Sequence, residues 1–281
     1  MSRNATPARH KPSRQVALFA EQRQRKILER LANHQSVRVS ELASSLHVSE
    51  ASARRDLQCL EEAGLLRRTH GGAVGSQTSS FEPSLAEKED RLKDEKAAIA
   101  REAVSLIEDG EAIMLDAGST TLQIARQLRQ RRHNTVVTNA VNIACELAAA
   151  DMDVTLTGGT LRPLTFSLVG PIAEATLAEL HVDKLFLATN GVDLRRGLTT
   201  PNLAEAQAKR AMIESAREVI LVADHSKLGR ISFCRFCPLA RIDCLITDAG
   251  APSEFLRALE QQRVKVLVAR GPEPEGTRAK E

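Results

Sequence analysis

The chain has 281 residues, 42% of them hydrophobic and 27% charged, with a net charge of +3; that balance suits a water-soluble globular protein of two domains and excludes a fibrous or disordered chain. No apolar run approaches the ~18 residues that cross a bilayer, no apolar core follows the early arginines as a secretory signal requires, and the five cysteines are an odd number, so the expectation is a cytoplasmic protein with reduced thiols and no membrane association. With no Trp or Tyr and only 7 Phe, few side chains can stack on unpaired bases, which argues against a single-strand or RNA binder.

Residues 1–17, with Arg3, Arg9, Lys11 and Arg14 among Pro7 and Pro12, read as a disordered basic arm. Residues 18–74 read as a winged helix-turn-helix domain. Ile27 and Leu31 repeat at helical spacing within 20–33, and Ser40 is placed to cap a shorter helix carrying Leu42, Ala43 and Leu46. Ser49 is placed to cap a third helix, in which Ala53, Leu57 and Leu60 recur at i, i+4 and i+7 as one apolar stripe. At about 100° per residue Arg55 points away from that stripe, flanked by Ala51, Ser52, Arg54 and Gln58, all short or hydrogen-bonding residues suited to a major groove. Gly64 stops the helix. Leu65 to Gly72 then has the composition of a β-wing: apolar residues to pair, Arg67, Arg68 and His70 at the edge, and glycines to turn. Capped helices bearing arginines also occur as ordinary solvated faces, but here the charge is segregated. Residues 1–70 hold 13 Lys/Arg against 7 Asp/Glu, net +6, and residues 71–281 hold 26 against 29, net −3, which favours phosphate contact at the N-terminal end.

Residues 75–95 read as a linker, opening with Gly75, Ser76, Ser79 and Ser80 and passing Pro83 into a charged, solvated helix over 86–94. From 96 to 270, short apolar runs at 112–115, 135–137, 154–156, 184–188, 219–222, 244–246 and 264–268 alternate with helical stretches at 96–107, 121–129, 141–149, 172–180, 203–216 and 253–261. Buried strands alternating with amphipathic helices predict an α/β domain with a mainly parallel sheet. Residues 271–281 read as a flexible tail.

In such sheets ligands bind beyond the carboxyl ends of the strands. The loop Asp116-Ala117-Gly118-Ser119-Thr120-Thr121 follows one strand and opens a helix, where glycine allows close backbone approach and free N–H groups suit a phosphate. Thr138-Asn139, Thr157-Gly158-Gly159 and Asn190-Gly191 end other strands, and Asp224-His225-Ser226-Lys227 ends a fifth. Glu205 and Lys209 lie i, i+4 on a helix, as a surface pair or as charged partners of a ligand. Cys234 and Cys237 form a C-x-x-C, but without a second such pair a tetrahedral zinc lacks ligands. No metal or cofactor is expected.

These features together resemble the DeoR family of bacterial transcription regulators. Its N-terminal signature falls at Arg23, Ile27, Leu31, Ser49, Ser52, Ala53, Arg54, Arg55, Asp56 and Leu57. Ser52 departs from the family's threonine, keeping the hydroxyl and losing the methyl. The family's C-terminal motifs fall at Asp116 to Thr121, Thr138-Asn139, Thr157 to Gly159, Asp183, Phe186, Gly191, Asp193, Glu205, Lys209, Asp224, Ser226 and Lys227. The stretches Arg162 to Gly170 and Gly197 to Leu203 look most like the AgaR-type branch, which controls amino-sugar catabolism.

The resemblance implies a homo-oligomer, dimer or tetramer, that reads double-stranded operator DNA through Arg23, Ser49, Ala51, Ser52, Arg54, Arg55, Gln58, Arg67, Arg68 and His70. It implies a repressor released by a phosphorylated sugar held by Asp116, Gly118, Ser119, Thr120, Thr121, Asn139, Gly158, Gly159, Gly191, Glu205, Lys209 and Lys227. It also implies a fold shared with ribose-5-phosphate isomerase and glucosamine-6-phosphate deaminase, so an isomerase-like or deaminase-like enzyme is the alternative. The deaminases carry a histidine soon after an Asn-Gly turn; here Val192 and Asp193 follow Asn190-Gly191, which argues against catalysis.

Overall fold

A computed structural model describes residues 20–34, 36–62, 66–69, 71–75, 82–129, 134–150 and 152–271. The expected basic arm, Gly64, Leu65, His70 and the tail beyond Gly271 lie outside the described residues, and of Arg67 the backbone alone is described. The chain divides into two units, Met1–Thr78 and Ser79–Glu281.

The first unit contains α1 (Ala20–His34), β1 (Ser36–Arg38), α2 (Val39–Leu46), α3 (Glu50–Glu62), β2 (Leu66–Thr69) and β3 (Gly72–Gly75). The apolar stripe of α3, Ala53, Leu57 and Leu60, packs with Ile27, Leu31, Leu42 and Leu46 into one core. Ser49 caps α3 as its position suggests, accepting the Ser52 amide at 3.1 Å. Ser40 does not cap α2. That helix begins a residue earlier, at Val39, because Arg38 passes directly from β1 in extended backbone and Val39 is buried. The wing is a hairpin of β2 and β3, and β1, which has no periodicity to announce it, pairs with the outer side of β3. A side chain at Gly72 would place its Cβ 1.9 Å from the Val37 carbonyl oxygen, so this strand crossing admits glycine only.

The second unit runs α4 (Leu85–Asp90), α5 (Lys93–Ser105), β4 (Ala112–Leu115), α6 (Ser119–Leu128), β5 (Thr135–Thr138), α7 (Val141–Ala148), β6 (Val154–Leu156), β7 (Thr160–Arg162), β8 (Ser167–Val169), α8 (Pro171–Ala178), β9 (Val182–Leu187), β10 (Gly191–Asp193), β11 (Gly197–Thr200), α9 (Leu203–Glu214), β12 (Ala216–Val222), β13 (Cys234–Cys237), β14 (Cys244–Asp248), α10 (Ser253–Gln261) and β15 (Lys265–Ala269). Seven strands form one sheet in the order β15-β14-β12-β9-β4-β5-β6, every pair parallel. Alternate residues of each strand enter opposite cores. Ile113, Leu115, Val136, Phe186 and Ile220 meet α5, α6 and α7 on one face, and Met114, Leu185, Leu187, Leu221 and Leu245 meet α8, α9 and α10 on the other.

Burial on both faces explains why these strands are short and almost wholly apolar. A second, antiparallel sheet, β10-β11-β13, and the β7-β8 hairpin add to the parallel sheet. The stretch expected to be a linker and a solvated helix belongs, from Glu82 onward, to this second unit. Ser84 and Glu87 form a capping box at the start of α4, Leu85 is buried, and its amide bonds the Leu164 carbonyl at 2.9 Å.

Candidate functional site

In the first unit, Arg55 is exposed on α3 and has no ion-pair partner among the described residues. Ala51, Ser52, Arg54, Gln58 and Arg68 border the same groove. Arg54 is half-exposed and held by Glu50 at 2.6 Å, one turn back. The Arg68 amide donates to Glu61 at 2.7 Å, which ties the wing strand to the end of α3. Arg23 borders this groove too, and its side chain is engaged within the unit. Its guanidinium forks onto Asp56, Nε to Oδ2 at 2.7 Å and Nη2 to Oδ1 at 2.9 Å, and Asp56 is 3% exposed. A buried carboxylate requires such a partner, so Arg23 fixes α1 against α3.

In the second unit, strand order reverses between β4 and β9: the chain passes outward through β5 and β6 on one side and through β12, β14 and β15 on the other. A crevice must open where the connections diverge, and the cavity lies there. Gly118, Ser119 and Thr120 line it from the start of α6, Ala188 to Asn190 from the end of β9, and Asp224 and Lys227 from the loop after β12. Glu205 and Lys209 enter from α9, Thr165 from the β7-β8 turn, and Glu82 and Lys88 from the segment around α4. The cavity has a volume of about 40 Å³, room for a few waters; a sugar-sized ligand requires it to widen.

Charge fills the walls. Lys209, nearly buried, binds Asp116 and donates to the Ala188 carbonyl at 3.0 Å, while the other contact of the same Asp116 oxygen is the Ala188 amide at 2.9 Å. Burial pushes the Asp116 carboxyl above its usual range, against the pull of Lys209. Glu205 is also buried, yet the Lys209 and Arg162 cations and the Thr165 hydroxyl overcome that burial and hold it below the usual range. Ser167 at 3.0 Å and Thr200 at 3.3 Å complete its hydrogen bonds. Burial lowers Lys227, with Asp224 opposing. Lys96 bonds the carbonyls of Lys88 and Arg91 where Leu92, at φ 52°, breaks α4 from α5, and burial pulls its ammonium down to about 8.

Of the expected effector residues, Gly118, Ser119, Thr120, Glu205, Lys209 and Lys227 share this cavity, and Asp116 stands behind Lys209. The rest sit outside its lining. Thr121 turns its hydroxyl back to the Gly118 carbonyl. Asn139 accepts the Ala117 amide at 3.0 Å and donates to the Leu168 carbonyl, bracing the loop. Gly159, at φ +109°, has no room for a side chain against the Val169 carbonyl, and Gly158 precedes it. Gly191 is buried in β10. Glu82, Lys88 and Thr165 join this cavity from outside the expected effector residues; Thr165 lies in the stretch that resembles the AgaR-type branch, whereas nothing local marks the other two. Cys234 and Cys237 are both buried, and among the described residues no three His, Cys, Asp or Glu side chains converge as metal ligands. Among those residues no helix is long and apolar enough to cross a membrane.

Comparison with known proteins matches residues 23–79 to the DeoR-like helix-turn-helix domain and residues 92–249 to the DeoR C terminal sensor domain. The chain is 42% identical over 246 residues to the HTH-type transcriptional regulator GlpR of Haloferax volcanii, covering 88% of this chain and 96% of that protein. It is 38% identical over 250 residues to the "Putative aga operon transcriptional repressor" of Escherichia coli O157:H7, covering 88% and 93%. It is 35% identical over 252 residues to the HTH-type transcriptional repressor GlcR of Bacillus subtilis, covering 89% and 97%. Among solved structures, ribose 5-phosphate isomerase A from Methanocaldococcus jannaschii aligns with 48% of this chain and 54% of its own at 22% identity and a TM-score of 0.37, a likeness too partial to bear on function.

Proposed function

The chain belongs to the DeoR family of transcriptional regulators, and from that premise we propose that it is a cytoplasmic, homo-oligomeric repressor of sugar or amino-sugar catabolic genes, released from its operator by a phosphorylated sugar. Membership makes it a DNA-binding regulator and not an enzyme. The functional division follows 18–74 for DNA and, from Glu82 onward, the second unit for sensing. Arg54 and Arg55 contact bases or phosphate in the major groove, with Arg67 and Arg68 on the backbone.

One observation carries the effector reading: at the strand-order reversal the start of α6 meets Lys88, Lys209 and Lys227 in one cavity. A helix N-terminus backed by lysines is chemistry for a phosphate, and Ser119, Thr120, Asn190 and Glu205 offer hydrogen bonds to sugar hydroxyls. Ligand binding beside α6 shifts the spacing of the recognition helices, and about 1–3 kcal/mol of coupling suffices to change occupancy 5- to 150-fold.

A thermal-shift screen with hexose and hexosamine phosphates tests this. A ligand at 100 times its Kd stabilises the native state by about 2.7 kcal/mol, and the same sugars without phosphate should leave the melt unchanged. A panel in which no phosphorylated sugar moves the transition overturns the reading.

A further inference from the structure

The cavity already contains an anion of the protein's own. The Glu82 carboxylate, 6% exposed, takes Lys88 Nζ on one oxygen at 3.1 Å and Arg162 Nη2 on the other at 3.0 Å. Four cations, Lys88, Arg162, Lys209 and Lys227, face four carboxylates, Glu82, Asp116, Glu205 and Asp224. Each of these carboxylates holds a cation that a phosphate would use, and the free volume is small, so an incoming phosphate competes with a resident carboxylate.

Three of the four carboxylates are held by more than cations. Asp116 accepts a backbone amide from Ala188. Glu205 stands on α9 with three hydroxyls around it. Asp224 accepts both the amide and the hydroxyl of Ser226. Glu82 is different: among the described residues its carboxylate is bound by two cations alone, and it lies ahead of the α4 capping box, outside any helix or strand. It also stands close in sequence to the boundary between the two units at Thr78/Ser79.

We propose that Glu82 is the resident anion of the effector cavity, displaced from Lys88 and Arg162 by the incoming phosphate, so that binding frees the segment from Glu82 into α4 from its hold on the cavity. This rests on the reading of the cavity as a phosphate site and assigns its regulation. Glu82 thereby sets the threshold for the effector, because the ligand competes with a tethered carboxylate for the same two cations. Release of the segment at Glu82 converts an exchange of anions into a change of chain freedom.

The test uses the full-length protein with inorganic phosphate as the probe. Calorimetric titration should show Glu82→Gln binding phosphate about tenfold more tightly than the wild type, Glu82→Asp binding within about threefold of it, and Lys227→Ala more weakly. Hydrogen exchange of the wild type should show faster exchange over 84–90 when phosphate is saturating, a readout that needs no variant to fold. Equal affinity of the wild type and Glu82→Gln, with Lys227→Ala still weakened, overturns the displacement and leaves the phosphate site standing. Unchanged or slower exchange over 84–90 overturns it as well. Phosphate binding to none of the four proteins overturns both.

Discussion

Arg23 of α1 and Asp56 of α3 are joined by two charged hydrogen bonds, at 2.7 and 2.9 Å, across 33 residues of sequence. The pair places the recognition helix by fixing it to α1, so its loss should be felt first in stability. Asp56→Ala should destabilise the N-terminal unit by about 1.5–3 kcal/mol, the range for hydrogen bonds to charged groups, and Arg23→Lys should not substitute, since an ammonium lacks the fork. Calorimetric melting of the variants checks this; a wild-type melt for Asp56→Ala would remove the pair from the fold's support.

Arg55 makes the opposite prediction. It is exposed and has no ion-pair partner among the described residues, so Arg55→Ala should melt as the wild type does while losing about 1–3 kcal/mol of discrimination on a duplex selected from a random pool. Gel retardation against the selected and a scrambled duplex measures the difference. Equal retention of both ratios would take Arg55 out of base reading.

Within the sensor, Lys209 and Lys227 should separate stability from response. Lys209→Met leaves Asp116 buried, and breaking such a pair costs about 3–5 kcal/mol; denaturant unfolding should register it. Lys227→Ala should unfold near the wild-type midpoint, hold operator DNA and release it poorly when the sugar phosphate identified in the thermal screen is added. Normal release would exclude Lys227 from the effector site.

The Lys96 ammonium predicts a pH dependence. Its proton affinity in the native state falls to about 8 from an ordinary 10.5, so between those values the unfolded chain holds more protons than the native one, and this group's contribution to stability rises with pH. The urea midpoint of the wild type minus that of Lys96→Met should therefore rise from pH 7.5 to 9.5. A difference that falls would contradict the sign.

The thiols should divide by burial. Cys59 and Cys145 are exposed, while Cys234, Cys237 and Cys244 are buried, and burial pushes the Cys237 and Cys244 thiols up to about 11. Iodoacetamide at pH 8 should modify the first two in the native protein and the other three only after unfolding. Peptide mapping by mass spectrometry reads the outcome residue by residue.

What the sequence discloses follows the length scale of each interaction. The run Ala112 to Leu115 and the stretch Ser253 to Gln261 are legible because a buried strand or an amphipathic helix repeats its own signal over neighbouring residues. Ser119 and Thr120 are legible for the same reason, as small polar residues between a strand and a helix. β1, β7, β8 and β10 each have only three residues, too few for a period. Glu82 and Arg162 lie 80 residues apart, and a charged residue in a polar stretch reads as solvated until the fold supplies its partner. Arg23 shows the same limit: the signature marks the residue, and its fork onto Asp56 is visible only in the fold.

The order β1-β3-β2 places the last strand of the DNA-binding unit in the middle. Neither outer strand has an edge to join until Gly72 to Gly75 has been synthesised, so a nascent chain stalled earlier holds helices without a wing. Ribosome-bound chains of increasing length should gain protease resistance in a single step once residue 75 clears the exit tunnel. The same arrangement means that domain grafts cut before that strand carry an incomplete reader, however intact the recognition helix is.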